Sequence, residues 1–266
     1  MSVFCLELLY SFFINKKLKL KRMKKLLILL FVISANLSVA QESVLLRLNY
    51  EKGATYDASM KVSQEMGAIM SMGMSINMDI KVLDVNDDTY DSEMKFTKIT
   101  MDMLQGGNVI SFDSSKSDDE LDETGKAMKT QLGPMLEAVI FAKGNNLGEV
   151  LEFKIEPNVP GMEDMANQTS NVVYPKEAIK VGSSWTMTKN EKGMKMDFIY
   201  TVKSILKDTI ILDLSGEVSG MATGKITGRM DIERISGIPI SSLIDMNLSV
   251  SGQELKSKVT MTIAKK

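Results

Sequence analysis

The stretch QEMGAIMSMGMSINMDIKV, residues 64–82, puts Met66, Ala68, Met70, Met72, Met74, Ile76, Met78, Ile80 and Val82 on positions of one parity, and Met60 and Val62 extend the run upstream. Alternation with period two is the mark of a β-strand with one buried face. Left unbroken, residues 60–82 would reach on the order of 75 Å, several times the length of an ordinary strand. A turn must therefore interrupt the run between Gly67 and Gly73. Because the parity of the apolar positions survives it, the loop must hold an odd number of residues or be offset by a bulge.

The segments that follow obey the same logic. DVNDDTY, residues 84–90, forms an acidic turn, after which Tyr90, Met94 and Phe96 alternate before the phase slips to Ile99, Met101 and Met103. A slip of this kind is what a β-bulge produces. LQGGNV (104–109) turns the chain again. Only Ser117 to Leu132 reads firmly as helix, with acidic residues in its first turn, Leu121, Met128 and Leu132 on one face, and Gly133-Pro134 to end it. AVIFAKGNNLGEVLEFKI (138–155) reads as a hairpin about Gly144-Asn145-Asn146, and a short helix is expected within Gly161 to Ser170. YPKEAIKVGSSWTMT (174–188) is extended. From Gly193 onward about five strands are expected, broken at Lys207-Asp208, Ser219-Gly220, Ser236-Gly237 and Ser251-Gly252.

The two ends of the chain resemble each other. KGATYDASM (52–60) is like VGSSWTMTK (181–189), each with a large aromatic, Tyr56 or Trp185, three residues after a glycine. An ancient duplication is one reading, and chance likeness of short β-patterns the other. The expected fold is mainly β: curved antiparallel sheets or an incomplete β-barrel, with one principal helix packed on the sheet. The candidate pseudo-repeats span residues 44–114 and 175–266, with a helix and hairpin insert at 117–156.

KRMKKLLILLFVISANLSVAQES (21–43) has the basic, apolar and small-residue order of a secretory signal peptide, with cleavage expected between Ala40 and Gln41. Its apolar run, Leu26 to Ile33, is short of the ~20 residues that a membrane span needs. Residues 1–22 have no role in front of such a peptide and are explained by a start assigned too early, with Met23 opening the signal peptide of 23–40. The exported part, 41–266, is expected to be a single β-rich domain, periplasmic or secreted, with no integral membrane anchor after cleavage. Removing residues 1–40 takes away Cys5, the sole cysteine, together with seven basic residues and one acidic one. That leaves 25 basic against 33 acidic side chains and a net charge of −8. Disulfide frameworks and lipid-acceptor thiols are excluded for such a product, and nucleic acid is a poor partner for its surface.

There is no histidine in the 266 residues, which with the loss of Cys5 removes the commonest general base, thiol catalysis and the soft metal ligands. SEMK (92–95) matches Ser-x-x-Lys but lacks the companion motifs of that chemistry. GMATGKIT (220–227) falls one residue short of a phosphate loop and has no Ser or Thr directly after Lys225. DVNDD (84–88) lacks the glycine and the glutamate of a calcium loop. No catalytic residue, metal or cofactor is expected, and the chain reads as a non-enzyme.

The methionines remain. Met66, Met70, Met72, Met74, Met78, Met94, Met101 and Met103 are the candidate ligand-binding residues, since methionine is flexible and polarizable and lines surfaces that must adapt. Thioethers also bind Cu(I), but side chains at i and i+2 of a strand share a face, so packing alone explains the Met-x-Met spacing. Two readings stay open: these residues line a cavity for an apolar small molecule or lipid, or they are the core of a structural or protein-interaction module.

LRLNYEKGATY (46–56), the Met-rich alternating strands, GGNVISFDS (106–114), YPKEAIKVGSSW (174–185) and TGRMDIERISGIPI (227–240) together resemble an uncharacterised family of exported β-rich proteins of Bacteroidota, a domain of unknown function. The resemblance implies export and a β-rich fold, and it assigns no site residues. Long curved strands with few helices are also similar in architecture to envelope lipoprotein carriers, which hold acyl chains in an incomplete barrel.

Overall fold

The computed structural model describes residues 42–67, 70–160, 162, 172–191 and 193–266. The expected signal peptide and its upstream extension lie outside the described residues. So does the short helix expected at 161–170, except for Met162, which is helical and buried. Contacts divide the chain into two units, Met1–Glu42 and Ser43–Lys266, and every described strand and helix belongs to the second.

The strands are β1 (Ser43–Val44), β2 (Thr55–Met66), β3 (Met70–Asn86), β4 (Thr89–Gln105), β5 (Asn108–Asp113), β6 (Val139–Asn145), β7 (Val150–Glu156), β8 (Ile179–Lys180), β9 (Ser184–Glu191), β10 (Met194–Ile205), β11 (Thr209–Gly220), β12 (Ala222–Glu233), β13 (Pro239–Val250) and β14 (Gln253–Lys265); helix α1 is Glu123–Glu137. One large antiparallel sheet runs in the order β7-β6-β4-β3-β2-β14-β13-β12-β11-β10-β9, with β5 beside β4 and β1 paired to β8 apart from it. The sheet is not closed, and β7 and β9 are its outer strands. This is the expected class, mainly β with one helix.

Met66 pairs with Met70 across a three-residue loop, the odd length that conserved parity requires. The phase slip in β4 is a bulge: pairing jumps from Asn77–Lys98 to Met78–Phe96, so that Phe96 and Ile99 both face inward and both are buried. Five strands follow Gly193, β10 to β14, with breaks at 207–208, 236–237 and 251–252 as expected; the break expected at Ser219-Gly220 falls at Met221, since β11 runs through Gly220.

Two local expectations need correction. The helix begins at Glu123 and not Ser117: Ser117 and Glu120 form a capping box on a separate 3-10 turn, while Asp122 caps α1 by accepting from the Gly125 amide at 2.7 Å. Nor does Gly133-Pro134 end it. Proline in a helix interior costs roughly 3 kcal/mol, but Met128, Leu132, Met135 and Leu136 all pack on the same core, and this burial carries the helix through to Glu137. In the hairpin of residues 138–155 Gly144 and Asn145 stay within β6 and the turn moves to residues 146–149. A side chain at 144 would lie 2.5 Å from the ring of Tyr90, its cross-strand partner, so this glycine makes room for an aromatic and does not turn the chain.

How far the sheet curls follows from two neighbouring amides. Leu48 donates to the carbonyl of Asn146 in the β6–β7 turn, and Asn49 donates to that of Ser236 in the β12–β13 loop. β6 and β12 are six strand steps apart, which in a flat sheet would be roughly 29 Å. One short segment can touch both only if the sheet bends round upon itself. Tyr174 makes the same span, its amide donating to Leu147 and its hydroxyl to Gly237. Residues 46–50 and 172–176 thus lace one end of the curled sheet shut, with Arg47 donating to the carbonyls of Pro175 and Lys176. Tyr50, Tyr56 and Tyr90 pack edge to face inside that end, with Val82 and Ile238 buried near them. Burial raises the Tyr50, Tyr90 and Tyr174 hydroxyls above the usual phenol range, so they stay neutral: Tyr50 and Tyr90 pack, and Tyr174 donates its hydrogen bond.

The rest of the inner face carries two larger clusters. One is built on β9–β13 and includes Leu46 and Tyr174; the other is built on β2–β7 and is covered by α1.

Candidate functional site

The turns β2–β3, β4–β5, β9–β10, β11–β12 and β13–β14 all lie at the end of the sheet opposite the laced one. Strand register sets the inner side chains there in rows. In the row nearest the tips Met70, Met66, Leu255 and Leu248 stand side by side on β3, β2, β14 and β13. The next row reads Ile110, Met103, Met72, Gln64, Ser257, Met246, and the one beyond it centres on Met74, Val62, Val259 and Ile244.

All eight candidate methionines face inward, but they fall into two groups. Met78 is buried in the β2–β7 cluster, and Met74, Met94 and Met101 pack against that cluster. Met66, Met70, Met72 and Met103 are half-buried and belong to none of the clusters among the described residues. Val62, Leu255 and Val259 on the β2–β14 seam are in the same position: the cluster of one half ends at Ile244, Met246 and Leu248, and that of the other begins at Met60 and Met74. The seam at the open end is therefore an apolar trough between two packed halves.

Two polar side chains lie on its floor. Ser257 is only 5% exposed, and its hydroxyl has no hydrogen-bond partner. The side chain of Gln64, directly opposite on β2, makes no hydrogen bond among the described residues. In the Ser257 row and the row beyond it, from β5 to β13, no inner residue is charged. Lys61, Glu65, Lys256 and Lys258 take the alternate, outward positions. A shallow, open depression lies over Gly73, lined by Ser63, Glu65, Ser71 and Asp102 together with Met72, Met103, Leu104 and Val109.

Sequence reading missed Gln64, Ser257, Met246 and Leu255. The last three lie some 180 or more residues from Gln64 and reach it only because β14 pairs with β2, a contact that no local pattern announces. Gln64 did leave a signal, as the one strongly polar residue on an inner position of β2 in the run 60–82.

The weaker motifs dissolve in the structure. Ser92 faces inward and donates to the Ala142 carbonyl at 3.4 Å, whereas Lys95 points outward near Glu93. Asp84 is paired with Lys52 at 2.8 Å, which holds its carboxyl below the usual range, and Asp88 accepts from Asn146, so Asp84 and Asp88 are engaged separately. Among the described residues no group of three or more acidic, histidine or cysteine side chains could hold a metal ion.

Residues 153–263, from β7 to β14, match a family of unknown function, DUF6263. No curated protein matches the sequence. Among solved structures the chain is similar to the translocator domain of the autotransporter NalP from Neisseria meningitidis, with 6% identity, a TM-score of 0.41, and coverage of 80% of this chain and 88% of that one.

Proposed function

We propose that this protein is a non-enzymatic exported binder or carrier of an apolar, acyl-chain-like ligand, and that the trough at the open end is its site. The observation that carries the reading is the contrast within single strands. On β3, Met78 is packed while Met70 and Met72 are left half-exposed on an inward face, apolar surface without protein partners. Such an arrangement forgoes stability and is expected where something binds. The absence of histidine from the sequence and the scattering of the carboxylates support a binding role over catalysis. A protein-interaction role is the second reading, favoured by Val109 and Met221, which are 74% and 73% exposed at the tips around the opening.

The test is titration of the purified, delipidated protein with N-phenyl-1-naphthylamine, a neutral dye that brightens in apolar sites. Binding at micromolar concentration is expected. Met72→Leu with Met103→Leu should leave the protein folded, since volume-conserving swaps cost under about 1.5 kcal/mol, and should alter dye affinity. Met74→Leu should not. Absence of dye binding, together with absence of co-purified lipid, would overturn the reading in favour of the interaction role.

A further inference from the structure

The acyl-chain reading leaves one pair of atoms unexplained. A buried hydroxyl without a partner costs about 1–3 kcal/mol, and Ser257 carries that cost in the middle of a wall otherwise made of Met66, Met72, Met246 and Leu255. Alanine would fill the same space without it. Directly opposed residues of an antiparallel pair have Cβ atoms about 4.5–5.5 Å apart, so the Ser257 hydroxyl and the Gln64 amide lie within reach of one small group. They are not bonded to each other. Between them they offer donors, a hydroxyl O–H and an amide N–H, and acceptors, a hydroxyl and an amide oxygen. Their row contains no cation to neutralise an ionised headgroup, and burying an unpaired carboxylate is far more costly than burying a neutral oxygen. The methionines beside them have three rotatable bonds each and can swing aside for a guest.

From this we infer that the ligand is a neutral single-chain amphiphile, its uncharged oxygen-bearing polar group hydrogen-bonded to Ser257 and Gln64 and its acyl chain lying over Met66, Met70, Met72 and Met103. The inference rests on the trough being an acyl-chain site, and it names the headgroup chemistry: an ester or alcohol such as that of a monoacylglycerol, not a fatty-acid anion.

Competition against bound N-phenyl-1-naphthylamine tests it, using 1-monolauroylglycerol and laurate at pH 8, each below its critical micelle concentration. The glyceride should displace the dye at a concentration at least tenfold lower than laurate. Ser257→Ala should weaken the glyceride roughly fivefold to tenfold, the factor that corresponds to one neutral hydrogen bond, a larger loss than the dye shows, while keeping the protein as stable or more so. Gln64→Leu should act in the same direction and provides a second measurement should the serine variant fold poorly. If the dye binds but laurate competes as well as the glyceride, or if neither substitution changes glyceride affinity, the headgroup inference falls and the trough survives. If the dye does not bind at all, the acyl-chain site itself is wrong and this inference falls with it.

Discussion

The two halves of the inner face are built on the same corner and filled with different residues. At the start of β2, Gly53 donates to the Val82 carbonyl and Val82 donates back to Ala54; at the start of β9, Gly182 donates to the Val202 carbonyl and Val202 donates back to Ser183. Each glycine sits at positive φ, 81° and 86°, and each valine is followed by a register shift in its strand. Tyr56 and Trp185 stand second in their strands, opposite Ile80 and Tyr200. Trp185 stacks on Tyr200, whose hydroxyl burial pushes up to about 12. Beyond the corners the halves part. The β9–β13 half is filled by Val202, Ile210, Leu212, Ile226 and Ile232, each 1% exposed or less, whereas the β2–β7 half surrounds its buried Ile76, Phe96, Ile99 and Ile140 with the half-buried Met60, Met74, Met94 and Met101 and has a helix packed on it. Hydrogen bonds of the corner fix where strands begin and bend, while side-chain shape decides whether the enclosed face is sealed. Branched side chains have few rotamers and close it; methionines leave it adaptable.

The largest effect expected from this difference is on stability. Leu212→Ala should cost about 2–5 kcal/mol, the range for a buried leucine. Met74→Ala, at a half-buried position with flexible neighbours, should cost clearly less. Urea unfolding of the two variants decides it, and equal losses would mean that the methionine half is packed as rigidly as the other.

Next in size is the corner itself. Gly53→Ala and Gly182→Ala each force an L-residue into the left-handed region, a penalty of roughly 1–2 kcal/mol. Nothing lies within 4 Å of a side chain added at either glycine, so backbone strain is the whole effect. The two substitutions should therefore lower the melting temperature by similar amounts. A loss confined to one of them would break the equivalence of the corners and with it the case for duplication.

What could be read in the sequence follows this division between local and distant contacts. The odd loop after Met66, the bulge after Phe96 and the five closing strands are local patterns, and the structure has them where the residues place them. The helix ends were misplaced because the apolar face of α1, from Met128 to Leu136, outweighs the propensity of Pro134. The pairing of β2 with β14, which sets Gln64 against Ser257, joins opposite ends of the domain. Inner-facing methionines were evident from parity alone; which of them are packed depends on where α1 and the other half's core stop, and no spacing encodes that.

The smallest expected effect concerns the outer edge of the methionine half. Asp113, at the end of β5, accepts from the side chain and the backbone amide of Ser115 and pairs with Lys98 at 2.9 Å; these contacts, the Ser115 bonds foremost, hold its carboxyl down to about 2. A pKa lower in the folded than in the unfolded chain means that the contribution is complete above the unfolded value, near 3.9, and is lost as pH falls toward about 2. Exposure and salt keep it modest. Its closest counterpart in the other half is Asp197 on β10, lowered by Lys195 and Thr188 on neighbouring positions of the sheet but with no turn to hold in place. Asp113→Asn should therefore reduce the loss of melting temperature between pH 4 and pH 2, and Asp197→Asn should reduce it less. The Ser115 and Lys98 contacts of Asp113 hold the chain as it leaves the sheet toward α1, so acid should loosen the helix side of the trough before it touches the β9–β13 core. Equal pH slopes for the two variants would show instead that both carboxylates act only as surface charges.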